Sequence, residues 1–255
     1  MIVPKLRSPI VLVHGLLGFD EIRLGQWTVA AYFAGLPRFL GAAHNRVLVA
    51  RLPPTGGVVD RAAQLKAFLD REMPHEPVHL FAHSMGGLDS RYMISRLGMA
   101  SRVLSLTTLG TPHRGSSFAD WGIRRLEPLV RPILEMLHIP FQAFYDLTTA
   151  RCRDFNEQVP DMPGVRYFSV AGRHEGKWWR PEWHLPHRIV LGAEGPNDGV
   201  VSVASATYGE STEVWEGDHL SLLSCESRIS RVPCLGPDRS REYAGLVRRL
   251  ADEGF

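Results

Sequence analysis

"VHLFAHSMGG" runs from Val78 to Gly87. Val78 to Ala82 are five mostly apolar residues that read as a strand, and Gly86-Gly87 opens the helix-like "GLDSRYMISRLG" (87–98). Between them lies a tight turn centred on Ser84. Strand, sharp turn and helix in that order form a nucleophile elbow, which holds a serine on a strained turn with its hydroxyl exposed. The positions two before and two after the serine must be small, because other backbone approaches them. Gly86 fills the later one, while Ala82 fills the earlier one with the right size but without glycine's freedom at positive φ. The strain falls on the serine itself, so Ala82 is tolerated. A serine at a helix start is also commonly a plain cap, but the complete context favours a nucleophile.

Further strands lie on either side: "PIVLVH" (9–14), "RVLVA" (46–50), "VLSLTTL" (103–109), "VRYFSVA" (165–171) and "TEVWE" (212–216). Continuous aliphatic runs separated by helical segments indicate a doubly wound, mostly parallel sheet covered on both faces. "DRAAQLKAFLDREM" (60–73) predicts a helix with Asp60 as cap and Leu65, Phe68 and Leu69 on one face. Tyr243, Leu246, Val247 and Leu250 predict a closing helix. From Phe118 to Leu147 no strand occurs. Leu126, Leu129, Val130, Ile133, Leu134 and Leu137 recur at helical spacing, with Pro128 and Pro132 delaying or kinking the helix. Periodicity alone fits a lid insertion and an ordinary covering helix pair equally well.

At 255 residues and 44% hydrophobic content, the chain predicts one large domain over 1–255. A net charge of +2 without a long basic run argues against nucleic acid as a partner. No apolar run reaches the length of a membrane span. "KLRSPIVLVHGLLG" reads as a buried first strand with its exit loop rather than a signal peptide. Cys152, Cys225 and Cys234 leave at least one thiol unpaired, which points to a reducing, cytoplasmic setting. A Cys225–Cys234 bridge is compatible with that count.

A nucleophilic serine needs a base, and the base needs a carboxylate to fix its tautomer. "GPNDGVVS" places Asp198 in an Asn-Asp-Gly turn, and "WEGDHLS" places His219 just after a strand. Ser84, Asp198, His219 is the chain order used by α/β-hydrolases. Asp218 adjoins His219 too closely to reach around its ring. His44, His75 and His138 lack a carboxylate-bearing loop nearby, and His83 points elsewhere. His174, His184 and His187 lack the spacing and acidic support of a metal site, so no metal is expected there. The developing oxyanion needs two backbone donors. Met85, next after the serine, supplies one, and Leu16, in the glycine-flanked "HGLLG" (14–18), supplies the other.

Taken together, "VLVHGLLGFD" (11–20), "AHSMGGLDSRYM" (82–93), "LGTPHRGSSFADW" (109–121), "RYFSVAG" (166–172), "NDGVVSV" (197–203) and "DHLS" (218–221) resemble the bacterial true lipases, the pseudomonad-type triacylglycerol lipases. The likeness runs in order through most of the chain. It implies an α/β-hydrolase fold with Ser84, Asp198 and His219 as the catalytic triad, Leu16 and Met85 as oxyanion donors, and a mobile lid at about 118–150 over an acyl groove. Many members of that family hold a calcium ion near the catalytic histidine, with an aspartate two residues after it as a ligand. Ser221 stands at that position and no acidic partner is evident upstream, so no cofactor or metal is expected.

The expected function is hydrolysis of hydrophobic acyl esters through an acyl-enzyme, with a lipid interface as a further contact. A thioesterase or acyltransferase would use the same groups, and a non-catalytic binding module is the alternative from another class. Candidate acyl-pocket residues are Leu17, Phe118, Leu134, Leu137, Phe141, Phe144 and Leu220. Trp178, Trp179 and Trp183 read as packing residues under a proline-rich loop.

Overall fold

A computed structural model describes residues 3–16, 21–24, 27–127, 142–175, 184–223 and 237–255. Of the residues singled out above, Leu17, Leu129, Val130, Ile133, Leu134, Leu137, His138, Phe141, Trp178, Trp179, Trp183, Cys225 and Cys234 lie outside this set, as do Pro128 and Pro132. No helix among the described residues is long and apolar enough to cross a membrane.

All six expected strands form one sheet: β1 (Ile10–Val13), β4 (Val47–Ala50), β5 (Val78–His83), β6 (Val103–Leu109), β7 (Arg166–Arg173) and β8 (Ser211–Glu216). Their spatial order is β4-β1-β5-β6-β7-β8, and every pairing is parallel. After β1 the chain moves outward to β4, then returns across β1 to place β5 on its other side. The order therefore reverses at β1–β5, and in open parallel sheets the crevice beyond the carboxyl ends at such a point is where ligands bind. The loop after β1 and the turn after β5, which carries Ser84, meet there.

Alternation along the strands separates two apolar layers. Ile10 and Leu12 of β1, Phe81 of β5 and Val170 of β7 pack with Leu36 and Leu40 of α1 (Leu36–Ala42) and with Tyr243, Leu246, Val247 and Leu250 of the closing helix Ser240–Asp252. On the other face, Val11, Val13, Leu80 and Leu106 pack with Leu65, Phe68 and Leu69 of α2 (Val58–Glu72) and Met93 and Ile94 of α3 (Met85–Arg96).

Three local expectations are corrected. First, α2 begins at Val58, so Asp60 lies inside the first turn, where its charge favours the helix dipole, and does not cap it. The N-cap is Gly57, which offers no side chain. Val58 N–H instead donates to Asp146 Oδ2 at 2.8 Å, across the chain from α5 (Gln142–Asp146). Second, α4 spans Ser117–Arg125 and starts earlier than the leucine periodicity suggests, because Ser116 caps it by accepting from Phe118 N–H. Third, an antiparallel pair unforeseen in the sequence, β2 (Glu21–Leu24) with β3 (Trp27–Ala31), follows the β1 loop. The remaining helices are α6 (Thr149–Gln158), α7 (His184–Glu194), α8 (Val203–Ala206) and α9, the closing helix.

Three histidines are buried neutral within this framework. His79 contacts Ser105 Oγ at 2.8 Å, and burial holds its pKa down to about 4. His113 stacks on Tyr208 at 4.1 Å with Nε2 3.0 Å from Thr108 Oγ1; burial, then Arg91, holds it well below the usual histidine value. Burial depresses His83 in the same way. Each folded value lies below that of the unfolded chain, about 6.5, so the unfolded state binds more protons in between. Their stabilising contribution is fully present above about pH 6.5 and is lost as pH falls through each folded value, which for His79 is about 4. Asp89 acts oppositely, because burial raises its carboxyl to about 7, yet one group opposes three. The melting temperature is expected to fall between pH 7 and pH 5, and His79→Gln should make that fall shallower. A flat profile would contradict the neutral burial of these rings.

Candidate active site

β5 ends at His83, and the chain turns at Ser84 with φ 55° and ψ −132°. A non-glycine residue adopts such a conformation only when its surroundings enforce it. Ser84 N–H donates to Leu109 O at 2.8 Å, and Ser84 O accepts from Thr111 Oγ1 at 2.7 Å and from Gly87 N–H at 3.1 Å. The small neighbours are required by contact. A Cβ on Gly86 would stand 2.8 Å from His14 O, one on Gly87 2.2 Å from Thr111 Oγ1, and one on Gly15 2.7 Å from Ser84 Cβ. Ala82 sits in the strand proper, paired with Val13 and Thr108, and has no positive φ. An alanine is accommodated there without strain.

His219 opens a short 3-10 turn, His219–Leu222, after β8. Its Nε2 lies 2.9 Å from Ser84 Oγ and its Nδ1 2.7 Å from Asp198 Oδ2. Ser84, Asp198 and His219, separated by up to 135 positions in the chain, thus form one continuous hydrogen-bonded line. Asp198 is fully buried, and its Oδ1 accepts from Val200 and Val201 N–H at 3.1 and 2.8 Å. Because an ionised carboxylate only accepts, it fixes the imidazole proton on Nδ1 and leaves Nε2 to take the serine proton. Gly110 and Gly172 make room for the pair: a Cβ on Gly110 would lie 3.1 Å from both Asp198 Oδ2 and His219 Nδ1, and one on Gly172 2.7 Å from Asp198 Cβ. Asp218 faces away, its Oδ1 accepting from Ser221 N–H and Oγ–H at 2.9 and 2.8 Å.

His83 is buried beside this line and has a definite task. Its Nε2 is 3.0 Å from His219 O, its Nδ1 is 2.6 Å from Tyr32 OH, and Tyr32 OH receives Gly15 N–H at 3.1 Å. The ends fix the polarity, since His219 O can only accept and Gly15 N–H can only donate. His83 therefore donates from Nε2, and Tyr32 donates to Nδ1 while accepting from Gly15. The His219 backbone and the loop after β1 are joined through a neutral histidine, and desolvation holds the His83 pKa well below its usual value and raises that of the Tyr32 hydroxyl. Nothing local in the sequence marks Tyr32.

The same loop is held from its other side. Arg61 donates from Nη2 to His14 O at 2.7 Å and from Nε to Asp89 Oδ2 at 2.8 Å, and both side chains are fully buried. Leu52 N–H reaches His14 Nε2 at 3.2 Å. Arg61 left a trace in the sequence: it occupies the apolar stripe of α2 with Val58, Ala62 and Leu65, where a charge requires a partner. Met85 is the first residue of α3, where helix geometry leaves the N–H without an intrahelical acceptor. Leu16 is half-buried and packs in one cluster with Met85, Leu88 and Ala143. Leu16 thus packs with Met85, the residue that follows Ser84.

Of the described pocket candidates, Phe118 is half-buried and stacks on Trp121 at 5.9 Å, and Phe144 is half-buried on α5. Leu220 packs against the core cluster containing Tyr32 and Phe33, which gives it a packing role as well. His187 and His174 do not address a metal together, since His187 Nε2 bonds His174 O at 2.9 Å. The described residues around His219 do not fit calcium either: Ser221 Oγ is bonded to Asp218, and the Arg239 guanidinium lies against Ser221 O, donating from Nε at 3.0 Å.

No family model matches the chain. It is 30% identical to triacylglycerol lipase 2 of Saccharomyces cerevisiae, over 98% of this chain and 93% of the relative. It is 38% identical to a triacylglycerol lipase of Pseudarthrobacter phenanthrenivorans, over 79% and 73% of the two chains. The mature form of Bacillus licheniformis lipase BlEst2 superimposes with a TM-score of 0.70 at 26% identity, covering 85% of this chain and 86% of that one. Together with the sheet order and the geometry after β5, this similarity establishes that the chain belongs to the true-lipase family of triacylglycerol lipases, in the α/β-hydrolase superfamily.

Proposed function

We propose that the chain hydrolyses carboxylic esters of hydrophobic acids, triacylglycerols among them, with Ser84 as nucleophile, His219 as general base and acid, and Asp198 as the carboxylate that orients it. The observation that carries this reading is the unbroken line Ser84 Oγ, His219 Nε2, His219 Nδ1, Asp198 Oδ2 at 2.9 and 2.7 Å. As Ser84 Oγ attacks the ester carbonyl, its proton passes to His219 Nε2 and the carbonyl oxygen takes up negative charge. Met85 N–H and Leu16 N–H donate to that oxygen. Collapse of the adduct breaks the bond to the alcohol, which leaves with the proton from His219. Water, deprotonated by the same imidazole, then attacks the acyl-enzyme and releases the acid.

In this reading residues of about 118–150 form the lid, and α4 and α5 are its stems. Three contacts support the assignment: two tie the stems to the body of the enzyme, and the one at Asp120 ties the two ends of the segment to each other. Ser117 N–H donates to Glu194 Oε1 at 2.6 Å, Asp120 accepts from Thr149 N–H and Oγ1 at 3.0 and 2.7 Å, and Asp146 caps α2. A lid hinged over the acyl groove suits a substrate presented at a lipid interface.

A fluorophosphonate probe is expected to label the wild type and not Ser84→Ala, whose kcat should fall by at least about 10⁴-fold. Absence of labelling in the wild type would make the chain a binding module. Rates on p-nitrophenyl esters are expected to rise from acetyl to longer acyl chains; preference for acetyl alone would leave an esterase but not a lipase. Ala82→Gly should remain active, as the strand position demands no particular small residue. Tyr32→Phe removes the hydroxyl that joins Gly15 to His83 and should lower kcat about tenfold, the worth of one buried hydrogen bond. An unchanged kcat in that variant would separate the His83 relay from the chemistry.

A further inference from the structure

We infer that Arg239 is a positioning residue for the catalytic histidine, an internal cation that clamps the His219 loop where many members of the resembled family hold a calcium ion. The inference rests on the role of His219 proposed above. Arg239 immediately precedes α9 and is 9% exposed. The Nε–Nη2 edge of its guanidinium spans two backbone carbonyls of one loop: Nη2 donates to Glu216 O, and Nε donates to Ser221 O at 3.0 Å. These carbonyls lie three residues before and two residues after His219. The remaining nitrogen, Nη1, donates to Glu242 Oε1 at 2.9 Å, and the plane lies 5.7 Å from the Trp215 ring centre.

The hollow that receives the guanidinium is built for it. Gly217 has φ 149°, and a Cβ there would stand 2.9 Å from Arg239 Nη2 and 2.7 Å from Ser221 Cβ. One turn beyond Arg239, in the buried face of α9, Tyr243 OH donates to Leu222 O at 3.1 Å. The loop is therefore fastened to the closing helix on both sides of the histidine. Among the described residues a divalent cation has no comparable donor set here, because the Asp218 carboxylate is bonded to Ser221 and a fixed positive charge already occupies the carbonyls.

Positional control of this kind acts on rate. His219 must remain in hydrogen-bond reach of Ser84 and Asp198 at once, and a misplacement of about 1 Å can cost on the order of 10²-fold. Arg239→Ala is therefore expected to lower kcat on a soluble p-nitrophenyl ester by about 10- to 100-fold with KM nearly unchanged. Added guanidinium ion at millimolar concentration should restore a substantial part of the loss, and calcium chloride should not. Arg239→Lys keeps the charge but reaches one carbonyl at a time, so it should fall between alanine and wild type. EDTA should leave the wild type unaffected.

Wild-type kcat in Arg239→Ala would overturn the inference. So would rescue by calcium, or loss of wild-type activity in EDTA that calcium restores. If the alanine variant does not fold, as judged by its circular dichroism and melting curve, Arg239→Lys decides: reduced kcat at constant KM supports the clamp, and unchanged kcat overturns it. Failure of the triad reading is separable, because it would appear as activity or probe labelling retained in Ser84→Ala.

Discussion

The strained backbone of Ser84 is the constraint around which the rest of the site is arranged. At φ 55° the residue forgoes a favourable conformation, at a cost of order 1–3 kcal/mol. Hydrogen bonds from Thr111 and to Leu109 hold it there. Because the turn is so sharp, α3 leaves directly over the loop after β1, and the glycines at 15, 86 and 87 follow from the resulting contacts. Residue 82 lies on the strand side of the turn and is released from that demand. The Gly-x-Ser-x-Gly pattern is thus a consequence of steric approach, and its first glycine is the one this backbone can dispense with.

Around the elbow, the polar groups are buried in connected sets. Arg61 with Asp89 holds the loop after β1 from the α2–α3 face. Tyr32 and His83 tie the same loop to the carbonyl of His219. Burying such groups is costly unless they are paired, and each half-satisfied member would cost more than an apolar replacement. The benefit is directional: hydrogen bonds fix where a loop lies, whereas apolar packing fixes only that it is covered. Sites that must hold donors within tenths of an ångström use the first kind of contact.

What the sequence disclosed follows the range of each interaction. The six strands were legible because a parallel sheet buried on both faces writes continuous aliphatic runs such as "IVLV" and "VLSLTTL". Ser84 was legible from its own turn, and Asp198 and His219 from their turns and chain order. Asp146 as the cap of α2 was not, because it is 88 positions away and nothing near Gly57 reports it. Tyr32 follows an antiparallel pair whose short alternation, Ile22 and Leu24 against Glu21 and Arg23, was a signal too brief to stand out. Arg239 was not legible, since the carbonyls it binds carry no mark in a sequence.

The choice of an arginine beside His219 has a physical logic that a metal ion lacks. Calcium gathers six to eight oxygens in a flexible shell and dissociates, so a loop held by it depends on the free ion concentration. A guanidinium is planar, permanently charged and covalently attached, and its fork holds two acceptors at a set angle. Here the attachment point is the start of α9, whose Tyr243, Leu246, Val247 and Leu250 are sealed into the core against β1 and β7. The position of the histidine loop therefore inherits the rigidity of the closing helix. Loosening that helix, even at its far end, would be transmitted to the distance between His219 and Ser84 before the fold itself gave way.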